Sequence, residues 1–512
     1  MKIYTNVAKF GNKILHRGYD KGHRIHEQIE FQPTLFVPSA EPTGWRDLRG
    51  HCVAPIHPGT IKDCVDFVRQ YSDVSNYTVY GNQKYHTQFI HETYPWKIDV
   101  DSSLIRVCYI DIETEDLTGQ YPGFSNASDA NHSVVTIAVV DQNNKKTVFG
   151  LVDYSVERDE TYYKFTNEMM LLNSWMHFMQ TEDFDIITGW NVKLFDVPYL
   201  VNRINKLFGD SAATRLSPWK RINEVTVRTS WGESSTYNIV GLDVLDYMDV
   251  FIKFGYVFGK QESYALDFIA NLVLGERKLD YSEYGSLRKL YSENPQKHTA
   301  YCLRDTELVK RMEDKLAFLK TVYSIAYLTK SSYTDTLKTT PVWDSYIYGE
   351  LLKHNIAVPP EKKSISEGID GAYVKEVSPC SNGWLMTFDA ASLYPSVIMQ
   401  HNISPETIGD RIPNISAIYL LDNTPEIPEG FCLTGAGQLF RTDVDAVIPR
   451  LVRGLFNQRK QVKKLMLEKK QEKENFKGSG ADADKARIAL EREIVQLDSQ
   501  QQAIKILMNS LD

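Results

Sequence analysis

Only six cysteines occur in 512 residues (Cys52, Cys64, Cys108, Cys302, Cys380 and Cys432), and no two of them form a C-x-x-C pair. Their scatter argues against a zinc ribbon or a disulfide framework, so the thiols are expected to be reduced and structural. No run approaches the roughly 18 apolar residues of a membrane span. The opening MKIYTNVAKFGNKI has no apolar core of a secretory signal, so the chain is expected in the cytoplasm. Positive charge is scarce as well: 58 Lys and Arg face 66 Asp and Glu, a net charge of −8. As a sum this argues against a nucleic-acid partner, because phosphate binding needs positive surface. Distribution matters more than the sum. Arg453, Arg459, Lys460, Lys463, Lys464, Lys469, Lys470 and Lys473 crowd one expected helix, whose second half reads equally well as a solvated face.

What is present is enough for three or four domains of ordinary size. A hydrophobic content of 42% with 24% charged residues is that of a soluble globular chain. Residues 1 to about 105 mix short β-like runs, Pro33 to Val37 and Tyr77 to Tyr80, with turn residues, and carry no pattern that suggests chemistry. From Leu104 the pattern sharpens. LIRVCYIDIE, SVVTIAVVD and KKTVFGLVD are three β-rich runs that fit an antiparallel meander. A helical stretch from Asn167 to Met179, the apolar run FDIITGWN and a second helix through Pro198 to Leu207 follow, which together make an α/β domain closing near residue 320. Leu319 to Leu352 reads helical and is expected to fold back on the N-terminal domain. A basic helix from Pro449 to about Phe476 breaks at KGSGADAD and resumes from about Lys485 to Asn509, a helical hairpin with a Gly-Ser turn.

Three acidic segments carry chemistry. In YIDIETE, Asp111 and Glu113 lie two apart on a strand, which points both carboxylates to one face. Two such groups repel unless a cation lies between them. Alone the pair would read as solvated strand-end acids. In GWNVKLFDVPYLVNR, Asp196 opens an amphipathic helix, where its bland role is an N-cap. In HTAYCLRDTELVKRM, Tyr301 and Asp305 share a helix face, where the bland reading is a surface carboxylate beside a packed tyrosine. Hydrolysis of a phosphodiester needs an activated water and a stabilised leaving oxygen, which two divalent ions about 3.5–4 Å apart supply. Hard carboxylate oxygens suit Mg²⁺ or Mn²⁺.

Together D-I-E, N-x-x-x-F-D (Asn191 to Asp196) and Y-x-x-x-D resemble the three exonuclease motifs of proofreading DNA polymerases. The segment TFDAASLYPSVIMQHNISPETI resembles motif A of family B DNA polymerases, D-x-x-S-L-Y-P-S, with a continuation like that of T-even-type phage enzymes. The resemblance covers essentially the whole chain and implies an α/β multidomain architecture. Its expected parts are a small N-terminal α/β domain (1–105, with 319–360 folded back on it), a ribonuclease-H-like 3′-to-5′ exonuclease domain (106–318), the first part of a polymerase palm (361–446) and helical-hairpin fingers (447–512). It implies Asp111, Glu113, Asp196 and Asp305 as metal ligands, with Tyr301 orienting the attacking water. Asp389 is implied as the palm metal ligand, with Ser392, Leu393 and Tyr394 around the triphosphate and sugar. Arg459 and Lys463, one helical turn apart, and likewise Lys505 and Asn509, match residues that grip the incoming nucleotide; for the first pair a plain basic helix face remains the alternative. The segments GLDVLDYMDVFIKF and SYALDFIANLVLGERKLDY also match the phage branch and are read as scaffold.

KILMNSLD resembles the start of the family's K-x-x-x-N-S-x-Y-G motif but has Asp512 where the family has Tyr-Gly, and no Y-x-D-T-D-S segment occurs. The expectation is therefore the N-terminal part of a split or truncated replicative polymerase, whose second chain would bring the rest of the palm and the thumb. The implied partners are primer-template DNA, single-stranded 3′ ends and dNTPs, in the cytoplasm of an infected bacterium. Two alternatives stay open: an autonomous metal-dependent exonuclease, and an inactive fragment that binds primer-template or nucleotide.

Overall fold

The computed structural model describes residues 2–98, 102–121, 123–229, 232–360, 383–388, 392–476, 478 and 480–510. Its packing falls into two units, one of Met1–Phe31, Phe89–Ser345 and Val462–Ala503, the other of Gln32–Gln88, Tyr346–Gln461 and Ile504–Asp512.

In the first unit a six-stranded sheet carries the acidic motifs. Its order is Thr161–Lys164, Lys146–Gly150, Ser133–Asp141, Val107–Glu115, Ile186–Gly189, Asp243–Asp246. Val107–Glu115, Ser133–Asp141 and Lys146–Gly150 pair antiparallel, as the three β-rich runs predict. Ile186–Gly189 and Asp243–Asp246 then add in parallel, each reached by a helical crossover. Strand alternation sorts the faces. Cys108, Ile110 and Ile112 join Val134, Ile137, Val139 and Phe149 in a core with Leu171, Trp175 and Met179 of the helix Glu168–Glu182 and Tyr199, Leu200 and Ile204 of the helix Asp196–Phe208. The odd-numbered residues Asp111 and Glu113 therefore turn to the other face, where the helix Pro295–Leu316 lies along the two central strands. That helix starts at an Asn294 cap with Pro295 in its first turn. Its buried stripe runs through His298, Tyr301, Cys302, Asp305, Leu308, Val309 and Met312, a helical period that carries two motif residues inward.

The same unit includes an antiparallel three-stranded sheet of Lys2–Phe10, Lys13–Asp20 and His23–Glu30. Lys21 and Gly22, both with positive φ, make its second hairpin turn. The helix Phe318–Thr329 packs on the first of these strands: the Tyr4 hydroxyl donates to the Ser331 and Ala326 carbonyls at 2.7 and 3.1 Å, and the Tyr327 hydroxyl donates to the Tyr4 carbonyl at 2.8 Å. A long hairpin, Ile222–Thr229 with Gly232–Ile239, completes the unit's strands among the described residues.

In the second unit Leu35–Pro38, Trp45–Arg46 and Cys52–Ile56 form a small sheet around Phe36 and Val53. The expected strand from Tyr77 to Tyr80 does not form; Tyr80 alone bridges Phe36, because Asn76 at φ 60° turns the chain just before it. The helix Ile61–Tyr71 opens with a Thr60–Asp63 capping box. Ile408–Arg411, Gln438–Arg441 and Phe431–Leu433 make a further three-stranded sheet, from which the Cys432 thiol donates to the carbonyl of His401 at the end of the helix Leu393–Gln400. The expected helical hairpin is present as Val447–Asn475 and Ala481–Asn509, with Val462–Ala503 belonging to the first unit and only the residues up to Gln461 and from Ile504 to the second. Lys469 pairs with Glu493 at 3.3 Å and Lys473 with Glu491 at 3.0 Å, so the outer turns run antiparallel. No helix among the described residues is long and apolar enough to cross a membrane.

Candidate active site

Four carboxylates reach one end of the central sheet from three separate segments. Asp111 and Glu113 lie on Val107–Glu115, whose register with its neighbour slips between Glu113 and Thr114, a bulge next to the acidic pair. Asp196 is the first residue of its helix, not the N-cap; Phe195 holds that position and makes no side-chain cap bond. The Asp196 carboxylate instead accepts the Ile112 amide at 3.1 Å, which ties it to the peptide between Asp111 and Glu113. The strand that leads to it ends at Gly189, where a Cβ would stand 2.3 Å from the Ile110 carbonyl oxygen and 2.4 Å from Val192 Cγ1. Only glycine fits there. Asn191, at φ 65°, then turns the chain into the helix. Asp305 and Tyr301 arrive on the helix face described above, and the Cys302 thiol beside them donates to the Asp111 carbonyl at 3.4 Å.

One residue read from the sequence as scaffold belongs to this cluster. Lys278 Nζ donates to Asp305 Oδ2 at 2.6 Å and to the Tyr301 hydroxyl at 3.2 Å. A single lysine in GERKLDY has no periodic or motif signal that would have singled it out.

The electrostatics are those of too many negative groups for one ammonium. Desolvation, then Asp196, Asp305 and Glu113, push Asp111 well above the carboxylate range. Glu113 rises to about 8 through desolvation and Asp305, with Lys278 opposing. Asp196 rises to about 7, mainly through desolvation, against the pull of hydrogen bonds such as that from Ile112. Asp305 is raised by burial, with Lys278 opposing. Burial disfavours the Lys278 ammonium, but Asp305 and Tyr301 outweigh it and raise its pKa. Asp305 Oδ1 is buried without a hydrogen-bond partner. Among the described residues no three His, Cys, Asp or Glu side chains stand at ion-holding geometry. The chemistry of the donor set nonetheless fits a divalent cation: mutually repelling hard oxygens, one of them buried and unsatisfied.

The positions expected around a nucleotide are more dispersed. Asp389 lies outside the described residues. Ser392, at φ 51°, precedes the helix Leu393–Gln400, on whose first turn Leu393 and Tyr394 are exposed. In the same unit Arg459 is half-buried with an Nε that has no partner, Lys505 is half-buried and Asn509 exposed. Lys463, exposed, falls in the other unit. Further along that helix Lys464 pairs with Glu468, and Lys469 with both Glu472 and Glu493, which makes its second half a solvated, ion-paired face.

Residues 65–269 match the profile of the DNA polymerase family B exonuclease domain, and residues 344–511 match that of DNA polymerase family B. The chain belongs to the family B DNA polymerases, with an exonuclease and a polymerase module. Asp111, Glu113 and Asp196 fall within the first match, and Tyr301 and Asp305 beyond it. Among its relatives are the DNA-directed DNA polymerase of Escherichia phage RB69, 30% identical over 91% of this chain and 54% of that protein, and that of Enterobacteria phage T4, 27% identical over 95% and 57%. The DNA polymerase delta catalytic subunit of Plasmodium falciparum is 27% identical over 73% of this chain and 34% of its own length. The chain thus spans about half the length of the phage relatives it matches.

Proposed function

We propose that the chain carries a metal-dependent 3′-to-5′ DNA exonuclease, proofreading for family B DNA synthesis. The observation that carries this reading is the convergence of Asp111, Glu113, Asp196 and Asp305, with Asp196 bonded to the Ile112 amide and Asp305 Oδ1 buried and unsatisfied. These four residues would hold Mg²⁺ or Mn²⁺, which when bound activates a water and stabilises the leaving 3′ oxygen. The rest is positioning. The Tyr301 hydroxyl, whose pKa burial and Asp305 raise, stays protonated and can donate to the attacking water. Lys278 holds Asp305 and Tyr301 in mutual register and supplies a positive charge near the scissile phosphate.

The domain limits of 105, 318 and 446 belong to the same proposal. So do the polymerase roles: Asp389 on the palm metals, Ser392, Leu393 and Tyr394 at the triphosphate and sugar, and Arg459, Lys463, Lys505 and Asn509 on the nucleotide's phosphates. Primer-template DNA, 3′ single strands and dNTPs are the proposed ligands. Nucleotidyl transfer needs a second palm carboxylate beside Asp389, so polymerisation is proposed for an assembly that adds the remaining palm and thumb.

The test is a gel assay on a 5′-labelled primer-template with Mg²⁺, with and without all four dNTPs. Ladder-like shortening is expected, reduced about a hundredfold or more in Asp111→Ala/Glu113→Ala, since removing two ligands forfeits several kcal/mol of transition-state stabilisation. Equal shortening by the double variant would overturn the reading.

A further inference from the structure

We propose that Asp246 is a positioning residue for the nuclease reaction, acting by clamping the turn that delivers Asp196. This rests on the exonuclease reading and adds to it a residue whose carboxylate is hydrogen-bonded to backbone amides of the turn and the following helix. Asp246 ends the edge strand Asp243–Asp246, in register with Gly189 of the strand that leads to Asp196, and is 2% exposed.

Its two carboxylate oxygens are divided between two tasks. Oδ1 accepts the Met248 amide at 2.9 Å, as the N-cap of the helix Tyr247–Phe254, and also the Asn191 amide at 3.0 Å. Oδ2 accepts the Lys193 amide at 3.0 Å. A helix cap requires one oxygen only, and Ser, Thr or Asn would serve. The second oxygen and the Asn191 bond serve a different segment, the turn after Gly189.

That turn needs an external acceptor. The parallel ladder stops at Gly189, so the amides of Asn191 and Lys193 have no strand partner, and Asn191 sits in the left-handed region. Inside the turn the Asn191 carbonyl accepts the Leu194 and Phe195 amides at 3.2 and 3.1 Å. The Thr236 hydroxyl donates to the Lys193 carbonyl at 2.5 Å, and Lys193 Nζ reaches Asp249 at 3.0 Å. Asp246 supplies what these do not: acceptors for the two orphan amides, in charge-assisted bonds to a buried carboxylate. Phe195 gives the helix no side-chain cap, so the direction in which Asp196 leaves the turn is set by these amides. A rotation of the turn would pull the Asp196 carboxylate from the Ile112 amide and away from Asp111 and Glu113.

The test compares the full-length chain with Asp246→Ser and Asp246→Asn. Serine can keep the Met248 cap and loses the second oxygen; asparagine keeps one oxygen and presents an N–H to the turn. Both are expected to fold and to shorten a single-stranded oligonucleotide with kcat lowered about 10- to 100-fold, the range for residues that orient metal ligands, while KM stays within about twofold. Half-saturating Mn²⁺, measured by electron paramagnetic resonance of free ion, should rise by about the same factor, since ligand orientation governs ion affinity. Amide hydrogen exchange of Asn191 and Lys193 should accelerate while that of Met248 in Asp246→Ser does not. A folded Asp246→Ser chain with wild-type kcat and Mn²⁺ binding would overturn the inference. A wild-type chain without nuclease would sink the exonuclease reading instead; unchanged exchange at Asn191 and Lys193 would then still overturn the clamp.

Discussion

Glu113 at about 8 and Asp196 at about 7 hold protons in the folded, metal-free cleft that an unfolded chain, with carboxyls near 4, would release. Folding therefore takes up protons between pH 4 and 8. The stability these groups contribute is complete below the unfolded values and is lost as pH rises through 7 and 8. A divalent ion held by these carboxylates, as proposed, would reverse the balance, because it would bind their deprotonated forms and only in the folded state. The Tm increment from Mn²⁺, read by scanning fluorimetry, should be larger at pH 8.5 than at pH 6 and should vanish in Asp111→Asn/Glu113→Gln. An equal or larger increment at pH 6 would contradict the raised carboxyl pKa values of Glu113 and Asp196. The acidic residues were legible because Asp111 and Glu113 fit a strand period, Tyr301 and Asp305 fit a helix period, and the three segments together, Asn191 to Asp196 included, resemble exonuclease motifs. Lys278 and Asp246 were not. Their roles come from contacts 27 and 55 residues away in the chain, which no local period encodes.

The helix Asp196–Phe208, uncapped at its start, is anchored further along. Arg203 Nε and Nη2 donate to Glu168 at 2.7 and 2.6 Å, and Nη1 donates to the Ala130 and Asn131 carbonyls. Glu168 also accepts the Val134 amide at 2.7 Å, so one buried ion pair joins two helices and a central strand. Glu168→Ala would leave Arg203 buried with its charge uncompensated and is expected to cost about 3–5 kcal/mol. Urea unfolding measures this, and Glu168→Met/Arg203→Met should recover most of the loss. A cost below that of an ordinary surface substitution would contradict the anchoring role. Both helices were visible in the sequence within a few residues, as a helical stretch from Asn167 to Met179 and an amphipathic run through Pro198 to Leu207; the Asn167 cap emerged only in the structure. The run from Tyr77 to Tyr80 misled because a β-prone tetrapeptide has no strand without a partner to pair along its length.

Residues 1–31 pack in one unit with residues 89–345, and polar contacts explain why. Arg17, with a fully buried side chain, donates to the Gly241 carbonyl and to Asp183 at 2.6 Å. Arg24 pairs with Asp183 and Asp185, and the Tyr19 hydroxyl donates to Asp185 at 3.0 Å. Replacing Arg17 with Met removes the guanidinium but leaves a buried carbonyl and a carboxylate short of donors, at a cost of about 2–4 kcal/mol. If the N-terminal strands and the nuclease sheet unfold as one body, Arg17→Met lowers a single transition, and Trp fluorescence and nuclease loss coincide on heating. Two separate transitions would show the strands to be an independent body.

From the chain alone came the local pattern: that Asp111 and Glu113 share a strand face, that Tyr301 and Asp305 share a helix face, and that strands and helices alternate through the acidic segments. Those properties are local, fixed by the two-residue and 3.6-residue repeats of the backbone. Only folding in three dimensions brought Asp196 to the Ile112 amide, Lys278 between Asp305 and Tyr301, and Asp246 under the turn at Asn191. Those meetings depend on sheet order and crossover geometry, which are set by the packing of segments far apart in the chain.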